Sequence, residues 1–472
     1  MNHILLLILE IVYALTIISV ILVVISENKD PIKTLSWVMV LIFLPIVGLI
    51  WYLTFGQDFT KKQVITKRMY DKLKRRPLDE ISTTEELAYP EQHKNLIQLL
   101  KNIDNTPLLG GSKVQFYTEA ADKFEDLLKD ISNAQHHIHV EYYIFMDDNL
   151  GHKIKDALIA KSLQGVEVRV IYDGFGSRKT KRNFFEEMRK AGIEAEPFLK
   201  LALPRLTSRL NYRNHRKIVV IDGRIGYVGG MNIADRYIDG FKWGKWRDTH
   251  IRIEGKGVQS LQSVFLIGWH FVTQTLITSR KYFPDLPAYS NVMMQTVNSG
   301  PLRDEREISR GILQAIYDAK ESIFIQTPYF IPPDSMSEAL QSAATRGVDV
   351  RLMVAGKSDV PLVQVASRSF YKEMMESGVK VYTYNGGFLH SKLMTFDNSL
   401  TLIGSVNFDF RSFEHNFEVE TFIYDKEVAA QAVTIFVKDQ RESELISLRA
   451  WQRRPVRIKF FESLMRIFAP LL

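Results

Sequence analysis

Five residue types recur at matching offsets in two places along this chain, and that recurrence constrains its fold more than any other feature. The first copy reads His215-Arg-Lys217, Asp222 and Gly229-Gly230-Met-Asn232; the second reads His390-Ser-Lys392, Asp397 and Gly404-Ser405-Val-Asn407. Counted from the histidine, Lys stands at +2, Asp at +7, Gly at +14 and Asn at +17 in both copies. A looser repeat surrounds them: AQHHIHVEYYIF (134–145) echoes AKESIFIQTPYF (319–330), and GVEVRVIYDG (165–174) echoes GVDVRLMVAG (347–356). A period this long means a duplicated domain, not a solenoid. Hydrophobic strand, helix (151–163 or 333–344) and hydrophobic strand is the βαβ pattern. Each half is therefore expected to be an α/β sandwich whose helices cover a largely parallel sheet. The two halves should pack about a pseudo-twofold axis, and a site on that axis would take one set of residues from each.

HRKIVVID and HSKLMTFD read as strands ending in a turn, at Asp222-Gly223 and Asp397-Asn398. The two-residue period puts His215 and Lys217 on one face, and His390 and Lys392 on the equivalent face of the other copy. A return strand, 225–228 or 400–403, leads to a Gly-x-x-Asn corner. Small residues there let an anion approach the backbone, and the amides of Asn232 and Asn407 can donate to it. Parity turns Asp222 and Asp397 away from the His/Lys face, where they would brace strand and turn.

Two imidazoles, two ammonium groups and two amides around one point suit a phosphodiester. Lysines and amides stabilise charge on the pentacoordinate transition state. One neutral imidazole attacks phosphorus, and the other, protonated, delivers a proton to the departing alkoxide. A nucleophilic His needs an acceptor that holds its proton on the far nitrogen. Asp248, 33 residues after His215, and Glu418, 28 after His390, are the candidates. No cofactor or metal is expected: the chain has no Cys and no carboxylate cluster. His137 and His139 share a strand face that could ligate a metal, but their repeat counterparts are Ser322 and Phe324. The GGMN and GSVN corners are not nucleotide loops, since neither a Lys-Ser/Thr nor a GxGxxG pattern follows.

At 472 residues there is room for about three structural units, at roughly 150 residues each. The first, 1–56, reads as a transmembrane hairpin with spans at about 4–25 and 35–55. Only Glu10 interrupts the first run, and Trp37, Trp51 and Tyr52 flank the second. Lys61, Lys62, Lys67, Arg68, Lys72, Lys74, Arg75 and Arg76 follow, so the positive-inside rule puts the rest in the cytoplasm. Residues 57–110 read as a basic linker, 111–300 and 301–445 as the two halves, and 446–472 as a basic amphipathic end. There Phe460, Phe461, Leu464, Phe468 and Leu471 keep helical spacing among Arg449, Arg453, Arg454, Arg457, Lys459 and Arg466. The net charge of +7 suits an anionic partner. Its basic residues lie among aliphatics rather than stacking aromatics, which favours anionic lipid over nucleic acid.

HxK(x)4D(x)6G-[GS]-x-N in duplicate resembles the signature of the phospholipase D superfamily, and within it the bacterial cardiolipin synthases. LNYRNHRKIVVIDGRIGYVGGMNIADRY, WRDTHIRIEG, LHSKLMTFDNSLTLIGSVNFDFRSFEHNFEVE and the opening LPIVGLIWYLTFG carry the resemblance. It implies duplicated phospholipase D-like α/β sandwich domains behind a two-helix transmembrane hairpin in the cell membrane. It also implies that two phosphatidylglycerol molecules give cardiolipin and glycerol. The catalytic set would be His215, Lys217, Asp222, His390, Lys392 and Asp397, with His215 as nucleophile and His390 as acid, then base. Gly230, Asn232, Ser405 and Asn407 would bind substrate, a hydroxyl donor coming only from Ser405. A hydrolase, a transferase with another alcohol acceptor, or a membrane-tethered nuclease are the alternatives, and a homo-oligomer is compatible with all of them.

Overall fold

The repeated hydrophobic runs become strands towards the two ends of one continuous sheet. In this computed structural model, which describes residues 2–26, 31–44, 48–49, 52, 90–198, 212–300 and 306–469, the first half supplies eight strands. They are β1 (Leu109–Tyr117), β2 (His137–Tyr142), β3 (Glu167–Asp173), β4 (Glu194–Phe198), β5 (Lys217–Ile221), β6 (Ile225–Gly229), β7 (Lys245–Arg247) and β8 (His250–Glu254). The second half supplies β9 (Val292–Ser299), β10 (Ser322–Thr327), β11 (Phe330–Ile331), β12 (Asp349–Ala355), β13 (Lys380–Tyr384) and β14 (Gly387–Leu389). It continues with β15 (Leu393–Phe396), β16 (Leu400–Gly404), β17 (Phe408–Asp409), β18 (Glu418–Tyr424) and β19 (Ser443–Leu445).

Read outward from the β1–β9 pair, the strand order is the same on both sides. It runs β1, β8, β6, β5, β2, β3, β4 in one half and β9, β18, β16, β15, β10, β12, β13 in the other, with β19 added at the far edge. This is the expected duplication, but the sheet is not largely parallel. Only β2–β3–β4 and β10–β12–β13 run parallel, and every other neighbour in the sheet is antiparallel. The strand–helix–strand units account for three strands per half. The HxK strands enter as hairpins, which force an antiparallel ladder.

Helices cover the outer faces. Phe124, Leu127, Ile131, Ile154 and Leu158 bury against Ile138, Val140, Val219 and Ile221 in the first half. Ile308, Ile312, Leu340 and Ala366 do the same against Ile323, Ile325, Val350 and Leu402 in the second. A third cluster joins the halves, with Ile218, Val220, Val228 and Ile251 meeting Leu393, Ile403, Val419 and Ile423. Each fully buried aliphatic contributes about 1.5–3 kcal/mol, so this seam fixes how the two motif copies meet. Two expected boundaries shift. Leu96, Ile97 and Leu100, read as linker, lie on a helix (Lys94–Asp104) buried in the second-half core, and β9 pairs with β18 ahead of the expected start at 301.

Residues 1–63 with 201–212 form one compact unit, and the remainder forms the other. In the first, helices Asn2–Ser26 and Pro31–Phe43 bury Ile17, Val24, Leu41 and Tyr52 together, and Trp37 packs edge-on against Tyr52 at 5.5 Å. Leu7, Ile11, Leu15, Ile18, Leu22 and Ile25 point outward and are exposed. Many side chains of this unit are not described, Glu10 and Trp51 among them, nor is the basic run 61–76. Over the described residues alone, no helix is long and apolar enough to cross a membrane.

Candidate active site

Both motif strands are held at their turns by the aspartate of the motif. Asp222 and Gly223 take φ of 53° and 64°, and Asp397 and Asn398 take 49° and 52°, left-handed positions that Asp, Asn and Gly tolerate. The Asp222 carboxylate accepts from the backbone N–H groups of Gln135, His136 and His137 at 2.8, 2.7 and 2.9 Å. Asp397 does the same for Lys320, Glu321 and Ser322 at 2.9, 2.7 and 2.9 Å. Each aspartate thus ties the hairpin turn to the start of the neighbouring strand, β2 or β10.

The two histidines stand just ahead of β5 and β15, and each is gripped by the opposite half. His215 Nδ1 lies 3.0 and 3.1 Å from the two carboxylate oxygens of Glu418. His390 Nδ1 lies 2.7 Å from Asp248 Oδ2. The backbone repeats this exchange. His215 N donates to Phe417 O at 2.9 Å, and His390 N donates to Arg247 O at 2.7 Å. Phe417 and Arg247 immediately precede the two carboxylates. A parallel pairing of β7 with β14, and a parallel bridge between Asn214 and Phe417, carry the two crossings. The sequence singles out both acids; that each serves the other half's histidine comes from the fold.

Lys217 Nζ donates to the carbonyl of His215. Lys392 Nζ sits 2.9 and 3.1 Å from the two ring nitrogens of His390. All six of these side chains are buried. Burial lowers the His215 imidazole to about 4, with Lys217 assisting and Glu418 opposing. Burial and Lys392 together lower His390 to about 3 against the pull of Asp248. Burial also holds Lys217 well below the usual lysine value and brings Lys392 down to about 8. For Glu418 and Asp248 burial works upward, but the adjoining imidazole and lysine outweigh it, so both carboxyls lie below their ordinary values. Both imidazoles are thus held neutral with a carboxylate at Nδ1, which turns Nε2 to the chemistry; on His390 that nitrogen is also within reach of Lys392.

The two Gly-x-x-Asn corners differ. A Cβ on Gly230 would meet Asp248 Oδ1 at 2.0 Å, so only glycine leaves room for that carboxylate. Ser405 occupies the equivalent place, and its hydroxyl donates to Glu418 while accepting from Val419 N at 3.0 Å. The expectation of a hydroxyl aimed at the phosphate is thus replaced by one that supports the acid behind His215. Asn232 accepts from Ile144 N at 3.1 Å and donates to the Tyr237 hydroxyl; Asn407 is buried beside Asp409 and hydrogen-bonds its carboxyl.

Aromatic and charged side chains outside the motif complete the surroundings. Tyr143 stands edge-on to His215 at 5.1 Å, and Trp246 to His390 at 5.2 Å. The guanidinium groups of Arg178 and Arg213 lie 4.3 and 4.2 Å from the Phe175 ring centre. Arg247 forms a buried bidentate pair with Asp439 at 3.0 and 2.7 Å, locking the segment that carries Asp248. The repeat gives no signal for Tyr143, whose counterpart is Pro328. His137 and His139 are core imidazoles, set 3.0 and 3.2 Å from Gln262 Oε1, with His139 stacked on Phe265.

Comparison with known proteins places this geometry. A family model described as "Cardiolipin synthase, PLD-like domain" matches residues 127–261 and again 312–440, and one described as "Phospholipase_D-nuclease N-terminal" matches 11–57. The chain is 39% identical to the major cardiolipin synthase ClsA of Bacillus subtilis over 98% of each protein. It is 40% identical to a cardiolipin synthase of Alkalihalophilus pseudofirmus, covering 98% of this chain and 94% of that one. Among solved structures, a phosphatidylserine synthase from Haemophilus influenzae shares the fold with a TM-score of 0.62 at 14% identity, over 80% of this chain and 98% of that one.

Proposed function

The chain belongs to the cardiolipin synthase family of phospholipase D-like proteins, and from that premise we propose that it transfers a phosphatidyl group from one phosphatidylglycerol to the hydroxyl of another, giving cardiolipin and glycerol. The observation that carries the reading is the crossed pair of histidine–carboxylate contacts, Glu418 to His215 and Asp248 to His390, with both lysines at hand.

His215, its Nδ1 proton held by Glu418, attacks phosphorus through Nε2 and forms a phosphatidyl-histidine. His390 passes a proton to the glycerol alkoxide that leaves, then takes one from the acceptor hydroxyl in the second displacement. The incoming phosphodiester brings negative charge beside Lys217 and Lys392, which favours their ammonium form and the protonated state of His390. The lysines then offset charge on the equatorial oxygens of the transition state. Asp222 and Asp397 act through the hairpins they brace, Gly230 and Ser405 through the acids they accommodate, and Asn232 and Asn407 complete the pocket wall.

We assign the N-terminal hairpin to the cell membrane with the catalytic unit on the cytoplasmic side. In support, the apolar runs 4–25 and 35–55 are long enough to span, residues 11–57 match the model described as "Phospholipase_D-nuclease N-terminal", and Leu7, Ile11, Leu15, Ile18, Leu22 and Ile25 point outward. The test is to supply pure phosphatidylglycerol and identify all products by mass spectrometry. Cardiolipin and glycerol in equal amounts, with chelator present and no cytidine nucleotide, are expected. Phosphatidic acid as the main product would assign a hydrolase instead.

A further inference from the structure

The helix Val456–Ile467 is attached to the catalytic unit with its apolar side outward. On its inner side Glu462 accepts from Arg454 at 2.7 and 2.9 Å and pairs with Arg368 at 3.0 Å. Arg466 clasps Glu373 at 3.0 and 3.1 Å, and Met465 is buried. At 100° per residue, Val456, Ile467, Phe460, Leu464, Phe468 and Phe461 follow one another around the opposite side. Val456, Phe460 and Ile467 are 76%, 69% and 72% exposed. An amphipathic helix ordinarily turns this stripe inward. Here polar clamps hold it out.

The surroundings indicate what covers the stripe. Arg449, Arg453, Arg457 and Lys459 are exposed along the same segment. Val360 and Leu362, also exposed, open the helix Pro361–Arg368, whose Arg368 reaches Glu462. One residue earlier, Asp359 accepts from the Tyr329 hydroxyl, and its charge is felt at Lys392. The helix Pro361–Arg368 therefore runs from a residue close to Lys392 to the inner side of the outward-facing helix. Large aromatics and aliphatics among cations match the headgroup–acyl boundary of an anionic bilayer.

We propose that the outward face of Val456–Phe468, with Val360 and Leu362, is a membrane-docking surface that seats the catalytic pocket on an anionic bilayer. The inference rests on the lipid-substrate reading above but concerns a different part of the molecule. Because the chain contains no cysteine, single-cysteine labelling of the full-length protein has no background. Phe460→Cys and Ile467→Cys, carrying a polarity-sensitive fluorophore, are compared with Leu163→Cys, an exposed position on the helix Asn149–Leu163. In vesicles containing phosphatidylglycerol, the first two labels should shift to the blue and become several-fold less accessible to an aqueous quencher, with Leu163→Cys unchanged. High salt or purely zwitterionic vesicles should weaken the effect.

Full quencher access in anionic vesicles would overturn the proposal. So would protection that appears in detergent without vesicles and grows with protein concentration, which would assign the face to a second copy of the chain. Cardiolipin formation is read in the same samples. Docking without product would count against the proposed reaction and not the surface, whereas product with exposed labels would do the reverse.

Discussion

The two halves agree in the residues of the repeated motif and differ in what stands behind them. His215 and His390 each meet a carboxylate of the opposite half, Lys217 and Lys392 each donate to their histidine's carbonyl, and Asp222 and Asp397 each collect three backbone N–H groups. One layer back the correspondence ends. Gly230 opposes Asp248 where Ser405 opposes Glu418, and Arg216 stands where the other half has Ser391. Glu141, buried against Asn214 and Arg216, corresponds to Gln326, which bonds Ser391 and Asp439. In the proposed reaction, a phosphodiester between the two imidazoles would constrain both sets of groups that touch it. The supports need only add up to a filled, hydrogen-bonded volume, so a short acid with glycine and a long acid with serine are both solutions.

The largest effect should fall on the matched layer. His215→Ala and His390→Ala should each lower turnover by more than about a thousandfold, with the urea midpoint nearly unchanged. Near-normal turnover in either variant would break the idea of one shared site.

Acid should separate the halves next. His137, His139, His215 and His250 of the first half are buried with lowered proton affinity, against His390 and His93 in the second. The unfolded chain binds these protons below about pH 6.5, while folded His137 and His215 wait until about 4 and His390 until about 3. The unfolded state thus holds more protons in that window, and stability falls as pH drops from about 6.5 towards 4. Hydrogen exchange followed by mass spectrometry at pH 7 and 5 should show β2, β5 and β8 losing protection before β10, β15 and β18. Equal loss would remove the distinction.

Smaller still is the loss expected at the braces. Asp222→Asn and Asp397→Asn keep a side chain suited to positive φ but give up charge-assisted bonds, each costing about 2 kcal/mol. Activity at a temperature well below the melting midpoint should fall only as far as stability does. A folded but inactive variant would move the aspartates into the chemistry.

The duplicated offsets make the paired α/β domains and the repeated His, Lys and Asp positions legible in the sequence, because strands and turns write their periodicity locally, whereas Asp248 and Glu418 stand at unequal distances from their histidines. The crossing was not legible. Asp248 and Glu418 follow their own half's histidine in sequence, yet each is carried by β7–β14 or the Asn214–Phe417 bridge to the other. Spacing cannot report a contact made across a duplication. The antiparallel ladders are not legible for a related reason: a fully buried strand looks alike in either direction. Nor is the contact of Ser405, whose partner Glu418 is brought beside it by the pairing of β16 with β18.

The smallest effect tests the mismatch itself. Ser405→Gly converts the second corner into the first. It removes one hydroxyl bond to Glu418 and leaves Val419 N without its acceptor. The first half shows how that N–H can be satisfied, since the equivalent Thr249 N donates to Asp248 Oδ1 at 2.7 Å. Glu418 can make the same contact after a small rotation, so the expected cost is about 1 kcal/mol and turnover should fall by less than tenfold. The reciprocal Gly230→Ser has no such route. Its Cβ would start 2.0 Å from Asp248 Oδ1, the carboxylate would have to leave His390, and turnover should drop by about a hundredfold or more, as for other displaced orienting groups. Measuring kcat for the two variants side by side decides the matter. A Ser405→Gly loss as deep as that of Gly230→Ser would mean that the hydroxyl touches the reacting phosphate, and that the halves differ in the chemistry and not only behind it.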